Sequence, residues 1–581
     1  MVENLKRAII GVVFGAILFL IFNYFLLVTI NPFFPGIYVL IIFILVIVSF
    51  ITWNKSGRGY DKRGNLNRFG RSGNGKKIGK QADFENYNIV AFISIGLIAT
   101  LLIVMLVIVI GACPVFKDKD YQAMLGTVTN KSFEDEITQV DMTQLPIVDM
   151  ELAKNLADKK LGEEVALGSV VTIKEGTLCS VNGKLMYVFP LLHSGLWKYL
   201  DNPEGTPGYI TVSATDPGDV KMITKVGDKE IKIKYQDEAF FGADLDRYLY
   251  EHYSKTTGLA DKTFELDDNG YPYWTVTKYK NTIGFGGEKV TGLVTVNAMT
   301  GEIKDYSLKD IPSWVDRVYP QAFIETQIND WGKYINGWWN PSKKGQLQLA
   351  SGDNYLYNKG NCYLYTGITS VGSDESTVGF MLTDTRTHES TFFKVAGATE
   401  LAGKSSIEGK VQEKEYTANF PYLINVEGIP TYFSPMKDKK GLVKMYGFCS
   451  VEDYSIVGVG DSLAEAKSSY VKALQTQGNS IVIDKSNQAV SNVGTIDRIG
   501  MGVDDGTSYY YIILKEIPDQ IFIGNQTLSM ELPITREGDQ VKITYNKSDN
   551  NYIDMMAFDN LMYTQKKSQD QLKVEEQKSQ K

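Results

Sequence analysis

The side chains in this chain best suited to catalysis or metal binding are His193, His252 and His388 and the thiols of Cys113, Cys179, Cys362 and Cys449. Nucleophilic catalysis needs a base beside a Ser or Cys, and no Gly-x-Ser-x-Gly elbow is present. Zinc needs several His or Cys ligands close together. None of these residues stand near one another in sequence, and there is no His-Glu-x-x-His. His252 falls on the apolar face of a helix expected around Phe241–Tyr253, which predicts core packing. His193, beside Ser194-Gly195, and His388, in the turn after Thr385-Arg386-Thr387, read as solvated loop residues. No catalytic residue, metal ligand or cofactor is expected.

Gly70-x-x-x-x-Gly75-Lys76 copies the spacing of a phosphate-binding loop, but Lys77 stands where Ser or Thr is needed and no strand precedes it. Paired carboxylates for glycoside cleavage must lie about 5–10 Å apart in space, a distance that sequence does not encode. Trp331, Trp338 and Trp339 form a candidate interaction surface, either a sugar platform or a membrane contact. The continuity of Trp331 with Ile324 and Ile328 on one helix face argues instead for an interdomain core.

Three apolar segments must position all of this: Ala8–Ile30, Phe33–Trp53 and Ile89–Ala112. None contains Lys, Arg, Asp or Glu, and each has the roughly 20 residues needed to cross a bilayer as helix. The loop 54–87 carries Lys55, Arg58, Lys62, Arg63, Arg68, Arg71, Lys76, Lys77 and Lys80 against Asp61, Asp83 and Glu85. The positive-inside rule makes this loop and the N-terminus cytoplasmic and residues 113–581 extracytoplasmic. The net charge of −8 then hides a strongly acidic outer body, which argues against a nucleic-acid partner. The expected partners are the lipid bilayer and another envelope protein. Ile110-Gly111-Ala112-Cys113 resembles a lipobox, with Cys113 as lipid attachment point, although a lipobox ordinarily ends the first apolar segment and not the third. Cysteine is sparse, so a bridge among Cys179, Cys362 and Cys449 is open but cannot be paired.

Residues 113–147 read as a polar stalk. After it one pattern occurs three times: a glycine turn followed by an aromatic strand, at Gly183, Gly270 and Gly428. The first two copies share a second element, Gly208-Tyr209-Ile210-Thr211-Val212-Ser213-Ala214 against Gly292-Leu293-Val294-Thr295-Val296-Asn297-Ala298. This agreement predicts tandem α+β units at 148–232 and 233–310, and a third copy within an α+β domain at 346–475. An aromatic-rich helical connector, 311–345, separates them. Beyond a polar linker near 476–490, five short strands over 491–562 suggest a small β-barrel of OB type, and 563–581 a disordered tail.

The helix near Phe241–Tyr253, the strand Tyr273-Trp274-Thr275-Val276 and the run Val294-Thr295-Val296-Asn297-Ala298-Met299-Thr300-Gly301-Glu302-Ile303 together resemble a PepSY-type domain, with Asn297 where that pattern has Asp. The resemblance spans about 150–310 and implies a small extracytoplasmic module that binds or restrains enzymes and brings no catalytic residues. The whole chain resembles membrane-anchored bacterial proteins. The expectation is therefore an α+β, non-enzymatic binding, regulatory or assembly protein of the cell envelope. The alternatives are a cell-envelope hydrolase with dispersed carboxylates, or a subunit of a secretion or conjugation complex.

Overall fold

The apolar N-terminal segments fold as helices α1 (Val2–Leu26), α2 (Pro35–Ser56) and α3 (Ile89–Gly111). The structure is a computed structural model that describes residues 2–56, 89–139, 142–164, 167–181, 183–358, 360–372, 376–476, 489–504, 507–525, 528–546 and 552–563. Most of the basic loop, the phosphate-loop-like Gly70–Lys76 within it, the linker from 477 to 488 and the tail from 564 lie outside the described residues. The chain divides into two compact units, 1–479 and 480–581. Two stretches, Ile9–Leu26 and Ala91–Gly111, are long and apolar enough to cross a membrane; the apolar stretch described in α2 is the shorter Pro35–Phe50. Val12, Phe25, Leu106 and Val107 are exposed, an apolar surface of the kind that ordinarily marks contact with lipid or protein.

Residues 113–147 do not form a free stalk. Helix α4 (Pro114–Gln122) follows α3 at once, and Val128–Lys131 pairs in parallel with Ser390–Phe393 at the edge of a seven-stranded sheet. Helix α5 (Phe133–Glu136) buries Phe133 in the core beneath that sheet. The strand is mostly exposed. Its place is set by backbone pairing at a sheet edge, which leaves no apolar alternation to read.

The tandem units are built alike. In the first, Asp149 caps α6 (Met150–Gly162) by accepting the Leu152 N–H at 2.9 Å. Four antiparallel strands follow in sequence order, Thr177–Val181, Lys184–Pro190, Tyr209–Ser213 and Val220–Ile223, with α7 (Leu196–Asp201) in the long connection. In the second, α8 (Leu245–His252) precedes Gly258–Leu266, Pro272–Ile283, Gly286–Asn297 and Ile303–Ser307, again in order. Equivalent hydrogen bonds close both. Ala214 O accepts the N–H groups of Ile147 and Val148, and Ala298 O those of Lys234 and Tyr235. Ser213 Oγ accepts from Thr215 and Asp216 N–H at 3.2 Å, and Asn297 Oδ1 from Met299 and Thr300 N–H at 3.0 and 2.9 Å. Gly208 and Gly292 both have positive φ, and a Cβ on either would strike a carbonyl oxygen of the closing strand, that of Ile223 or of Tyr306. A side chain is excluded at both points for one reason.

The same plan returns after α9 (Gln321–Lys333). Helix α10 (Glu400–Gly409) leads to Tyr422–Val426, Ile429–Lys437, Val443–Ser450 and Val457–Gly460, and α11 (Leu463–Thr476) is added behind. Val451 O accepts the Ala398 N–H, and Ser450 Oγ the Asp453 N–H, as in the other copies. A capping box opens α11: Ser462 Oγ accepts the Glu465 N–H, and Glu465 reaches back to the Asp461 N–H.

The second compact unit is a closed barrel of Ala489–Asp504, Thr507–Leu514, Ile517–Asn525, Gln540–Asn546 and Tyr552–Asn560. Its third and fifth strands run parallel. Between the third and fourth strands a 3-10 turn, Leu532–Ile534, crosses the barrel sequence. The strand Tyr552–Asn560, which sequence reading passes over, carries a bulge opposite Thr544/Tyr545. That bulge moves burial from Ile553 and Met555 to Phe558 and breaks the two-residue period.

In the first compact unit, the first sheet lies between α6, packed on Leu178, Tyr187, Phe189, Ile210 and Val212, and the second sheet, whose Phe264, Trp274, Val276, Val294 and Val296 meet Cys179, Val188 and Tyr209. The seven-stranded sheet shares a core with the third copy through Tyr365, Phe380, Phe393, Leu423 and Tyr432. The β-hairpin 281–287 of the second sheet touches the ends of the apolar helices: Asn281 Nδ2 donates to Phe33 O at 2.9 Å, Phe285 meets Tyr38 edge-on, and Gly284 packs on Ile108 and Ala112. At Gly458, a Cβ would collide with the Tyr470 backbone of α11. Gly458→Ala should therefore force α11 off the sheet and destabilise the protein by about 1–3 kcal/mol, read as a lowered Tm in detergent. An unchanged Tm would mean that α11 does not pack this closely.

Candidate functional site

A cleft of about 490 Å³ opens in the first α+β copy beside α7. Leu167, Val170, Val171 and Ile231 supply apolar wall, Lys198, Lys225 and Lys232 positive charge, and Asp201 and Glu230 negative charge. Its polar floor is His193, on the short strand Leu192–His193, which pairs with Val171–Thr172. Gln236 holds this floor: its Oε1 accepts the His193 N–H at 2.8 Å, while its Nε2 donates to Ile233 O at 2.6 Å and to Thr206 Oγ1 at 3.0 Å. The His193 ring stands edge-on to Tyr199 at 5.4 Å.

His193 is only 2 % exposed, so the solvated loop position expected from Ser194-Gly195 is wrong. Its Nε2 is buried without a hydrogen-bond partner. Burial lowers its pKa, which leaves a neutral imidazole. The lining holds no Ser or Cys, and Thr206 Oγ1 already donates to Leu191 O. The arrangement offers a neutral ring and charges of both signs to a bound group, and no activated nucleophile among the described residues.

The other two histidines also depart from expectation. His252 is the last residue of α8 and is exposed, with Nδ1 3.1 Å from Tyr248 O and its ring stacked on Tyr248. The helix begins at Leu245 rather than Phe241 and buries Leu245, Leu249 and Tyr250, which turns His252 outward. His388 is at the hairpin tip as expected but is not solvated. It lies flat on Tyr319, 4.4 Å between centroids at 5°, and burial pushes its pKa down to about 4. Cys113, just before α4, is half-buried; Cys179, Cys362 and Cys449 are buried, and all four thiols are free, so no bridge forms among them. Burial pushes Cys362 up to about 11 and Cys449 to about 12.

The tryptophan cluster divides. Trp331 packs with Ile324, Ile328 and Phe392, as an interdomain core requires. Trp338 and Trp339 are 42 % and 75 % exposed and belong to no core. Gly337, with positive φ, ends the connector helix region and turns them outward.

Sequence reasoning missed a buried polar junction around Arg317. Arg317 Nη2 donates to Leu178 O at 2.9 Å, and its guanidinium lies 4.1 Å from the Tyr355 ring centre. Asp316 accepts from Ser180 N–H at 2.6 Å, and its own N–H donates to Glu265 Oε2 at 3.0 Å. Thr263 and Thr275 donate to Glu265 Oε1. Burial, with the charge of Asp316 adding to it, pushes Glu265 up to about 7. An Asp-Arg pair inside the apolar run Val315–Val318 was the available signal. No group of acids, His or Cys able to hold a metal occurs among the described residues.

His193→Ala should lower stability by about 1–3 kcal/mol, as loss of a buried packing residue does, while His252→Ala should stay within about 0.5 kcal/mol; thermal unfolding in detergent separates the two. Glu265 makes a second prediction. Its folded pKa of about 7 lies above the ordinary 4.5, so between those values the folded protein holds a proton that the unfolded chain has released. The stability this confers is complete below about pH 4.5 and is lost as pH rises through about 7, on the order of 3 kcal/mol. Glu265→Gln should flatten that part of the Tm-against-pH curve. An unchanged slope would show that Glu265 ionises normally.

No family model matches this sequence, and no curated protein matches it. Among solved structures, it is similar to a mutant apocarotenoid oxygenase of Synechocystis at 10 % identity, covering 49 % of this chain and 48 % of that one with a TM-score of 0.13. It is also similar to a mutant levansucrase of B. megaterium at 9 % identity, covering 76 % and 94 % with a TM-score of 0.16. The chain thus spans about half the length of the oxygenase. At such scores neither likeness carries an argument about fold or activity.

Proposed function

We propose that this chain is a multi-pass membrane protein of the bacterial cell envelope. Its body, 113–581, stands outside the membrane and binds or assembles with another envelope protein rather than catalysing a reaction. One observation carries most of this reading. The 281–287 hairpin rests on the α1–α2 turn and on the C-terminal end of α3 together. The exit of α1, the entry of α2 and the exit of α3 therefore share one side, as three successive crossings require. With the nine Lys and Arg of the 54–87 loop holding the other side to the cytoplasm, α2 is read as the second crossing and the body as external.

A binding role is favoured over hydrolysis by the placement of the acids. Glu265, Asp316 and Glu400 are enclosed in the interior, and the two acids that line the cleft, Asp201 and Glu230, stand among Lys198, Lys225 and Lys232, with Glu230 3.9 Å from Lys225. The second copy is read as a PepSY-type module, supported by the α8-then-four-strand order and by Asn297, whose Oδ1 accepts the two N–H groups that the Asp of that pattern would take. The barrel is read as OB-type on its strand order and the parallel pairing of its third and fifth strands. The His193 cleft is the place a partner's side chain or terminus would enter.

Protease added to intact protoplasts should remove the body and spare an epitope tag placed in the 54–87 loop. Cleavage of the tag with a protected body would invert the topology and overturn the reading. Turnover of isolated envelope polymers by the purified protein, abolished by replacing one acid, would move it to a hydrolase.

A further inference from the structure

We propose that residues 336–345 form a preformed membrane-docking loop, which seats Trp338 and Trp339 in the outer-leaflet interface and presents Lys343 and Lys344 to anionic phospholipid headgroups. The proposal rests on the membrane-anchored reading above and extends it from the helices to the body.

The loop is tied to the end of a membrane helix. Tyr121 Oη on α4 donates to Ala112 O at 3.1 Å, which pins α4 against the end of α3. Asp118 on the same helix accepts the Trp338 N–H at 2.9 Å, and the Tyr121 and Tyr334 rings stand 6.1 Å apart. Seven residues at a rise of 1.5 Å set about 10 Å as the upper bound for Asp118 beyond Gly111, and the break at Cys113, with Tyr121 reaching back to Ala112, holds it closer to the end of α3 than that. The interfacial layer of a bilayer is about 5–8 Å deep on each side, so the loop lies at headgroup level once α3 spans the core.

The surface has the composition such a position selects. Trp338 and Trp339 have ring centres 5.3 Å apart and are exposed, and Val115 and Phe116 in the first turn of α4 are 45 % and 66 % exposed. Tryptophan is enriched at this depth because its ring is apolar while its N–H needs a polar partner. Lys343 and Lys344 are exposed, and basic residues flanking an aromatic pair add attraction to anionic lipid. The loop is also rigid before any contact. Asn336 and Asn340 both donate through Nδ2 to Lys344 O, at 2.7 and 2.9 Å, and Ser342 Oγ donates to Asn340 Oδ1 at 3.1 Å. Lys343 is held at φ 54°. A loop closed on itself so firmly does not turn two tryptophans to water for lack of an alternative; it displays them.

The test uses the full chain in vesicles of phosphatidylcholine and phosphatidylglycerol brominated at shallow or deep acyl positions. A Trp53→Phe background removes the tryptophan at the end of α2. Shallow bromines should quench tryptophan emission more than deep ones, and Trp338→Phe with Trp339→Phe should remove at least half of that quenching. Omitting phosphatidylglycerol, or replacing Lys343 and Lys344 by Glu, should weaken the quenching at least twofold. Retention of the protein in carbonate-washed vesicles with quenching unchanged in the double Phe variant would overturn the loop while leaving the anchor intact. Quenching indifferent to phosphatidylglycerol would overturn the headgroup assignment. Extraction by carbonate would overturn the anchored reading itself.

Discussion

The larger compact unit depends on one constraint, a charged side chain that cannot lose its charge and has been taken out of water. Arginine stays protonated at any accessible pH, and a buried charge is tolerated only where hydrogen bonds replace its hydration. Arg317 meets part of that demand with the Leu178 carbonyl and the face of Tyr355, while its Nε is buried without a hydrogen-bond partner. Its neighbour Asp316 takes the Ser180 N–H and gives its own N–H to Glu265, and Thr385 Oγ1 donates to Asp316 O. Leu178 and Ser180 belong to the first sheet, Glu265 to the second, and Tyr355 and Thr385 to the seven-stranded sheet and its hairpin. Three sheets are thus held in register by two consecutive residues of the connector. Apolar packing is not directional, whereas the hydrogen bonds of this junction fix the three sheets to particular atoms of the connector.

The repeated units explain why such a junction is needed. The first two copies are each one helix on a four-stranded sheet, and only one sheet face is covered by that helix. In the first copy α6 covers one face and the second sheet covers the other. The outer face of the second sheet is a row of buried polar residues, Thr263, Glu265, Thr275, Thr277 and Thr295. A polar face cannot be closed by hydrophobic contact, since each hydroxyl and carboxyl needs a partner. The connector supplies part of this, with Val318 O accepting from Thr277 Oγ1 and Asp316 N–H donating to Glu265 Oε2, and it covers the apolar remainder of the sheet, Val290 and Leu293, with Ile311, Val315 and Val318.

Legibility in the sequence followed from whether a feature was local. The turn-and-strand repeats and the Gly208 and Gly292 positions are set by backbone geometry within a few residues, so they were readable. The third copy's leading helix, α10, was not, because Glu400 and Gly403 lie on its buried face and blunt the apolar period. The strand Val128–Lys131 was hidden by having a single pairing partner more than two hundred residues away. The histidines failed for a related reason. Whether a loop residue is covered depends on what crosses over it, and the cover over His193 comes from Gln236 and Tyr199, elements without a sequence mark that joins them. The division of Trp331 from Trp338 and Trp339 turned on where α9 ended, and helix ends are the least legible boundaries.

The attachment of the body to the apolar helices is itself informative. Arg247 donates through Nη1 to Tyr24 O at 2.6 Å and lies over the Tyr24 ring, Tyr250 Oη donates to Val28 O at 3.0 Å, and the Ile30 N–H reaches Lys255 O at 2.7 Å. These are mostly bonds to main-chain carbonyls at the end of α1 and in the turn beyond it, groups that a helix leaves without internal partners. In hydrocarbon such groups are costly, so a helix end that meets a folded body at the membrane surface gains more from it than one that meets water. The same bonds take orientational freedom from the body. With α8 on one side and α4 on the other, both bound to the ends of apolar helices, a lever that swings freely is excluded, and the seven-stranded sheet is carried at a fixed height above α3. Under the proposed membrane-anchored reading, that arrangement would favour a partner in the same membrane, because fixing the body's height reduces a search through volume to a search along a surface.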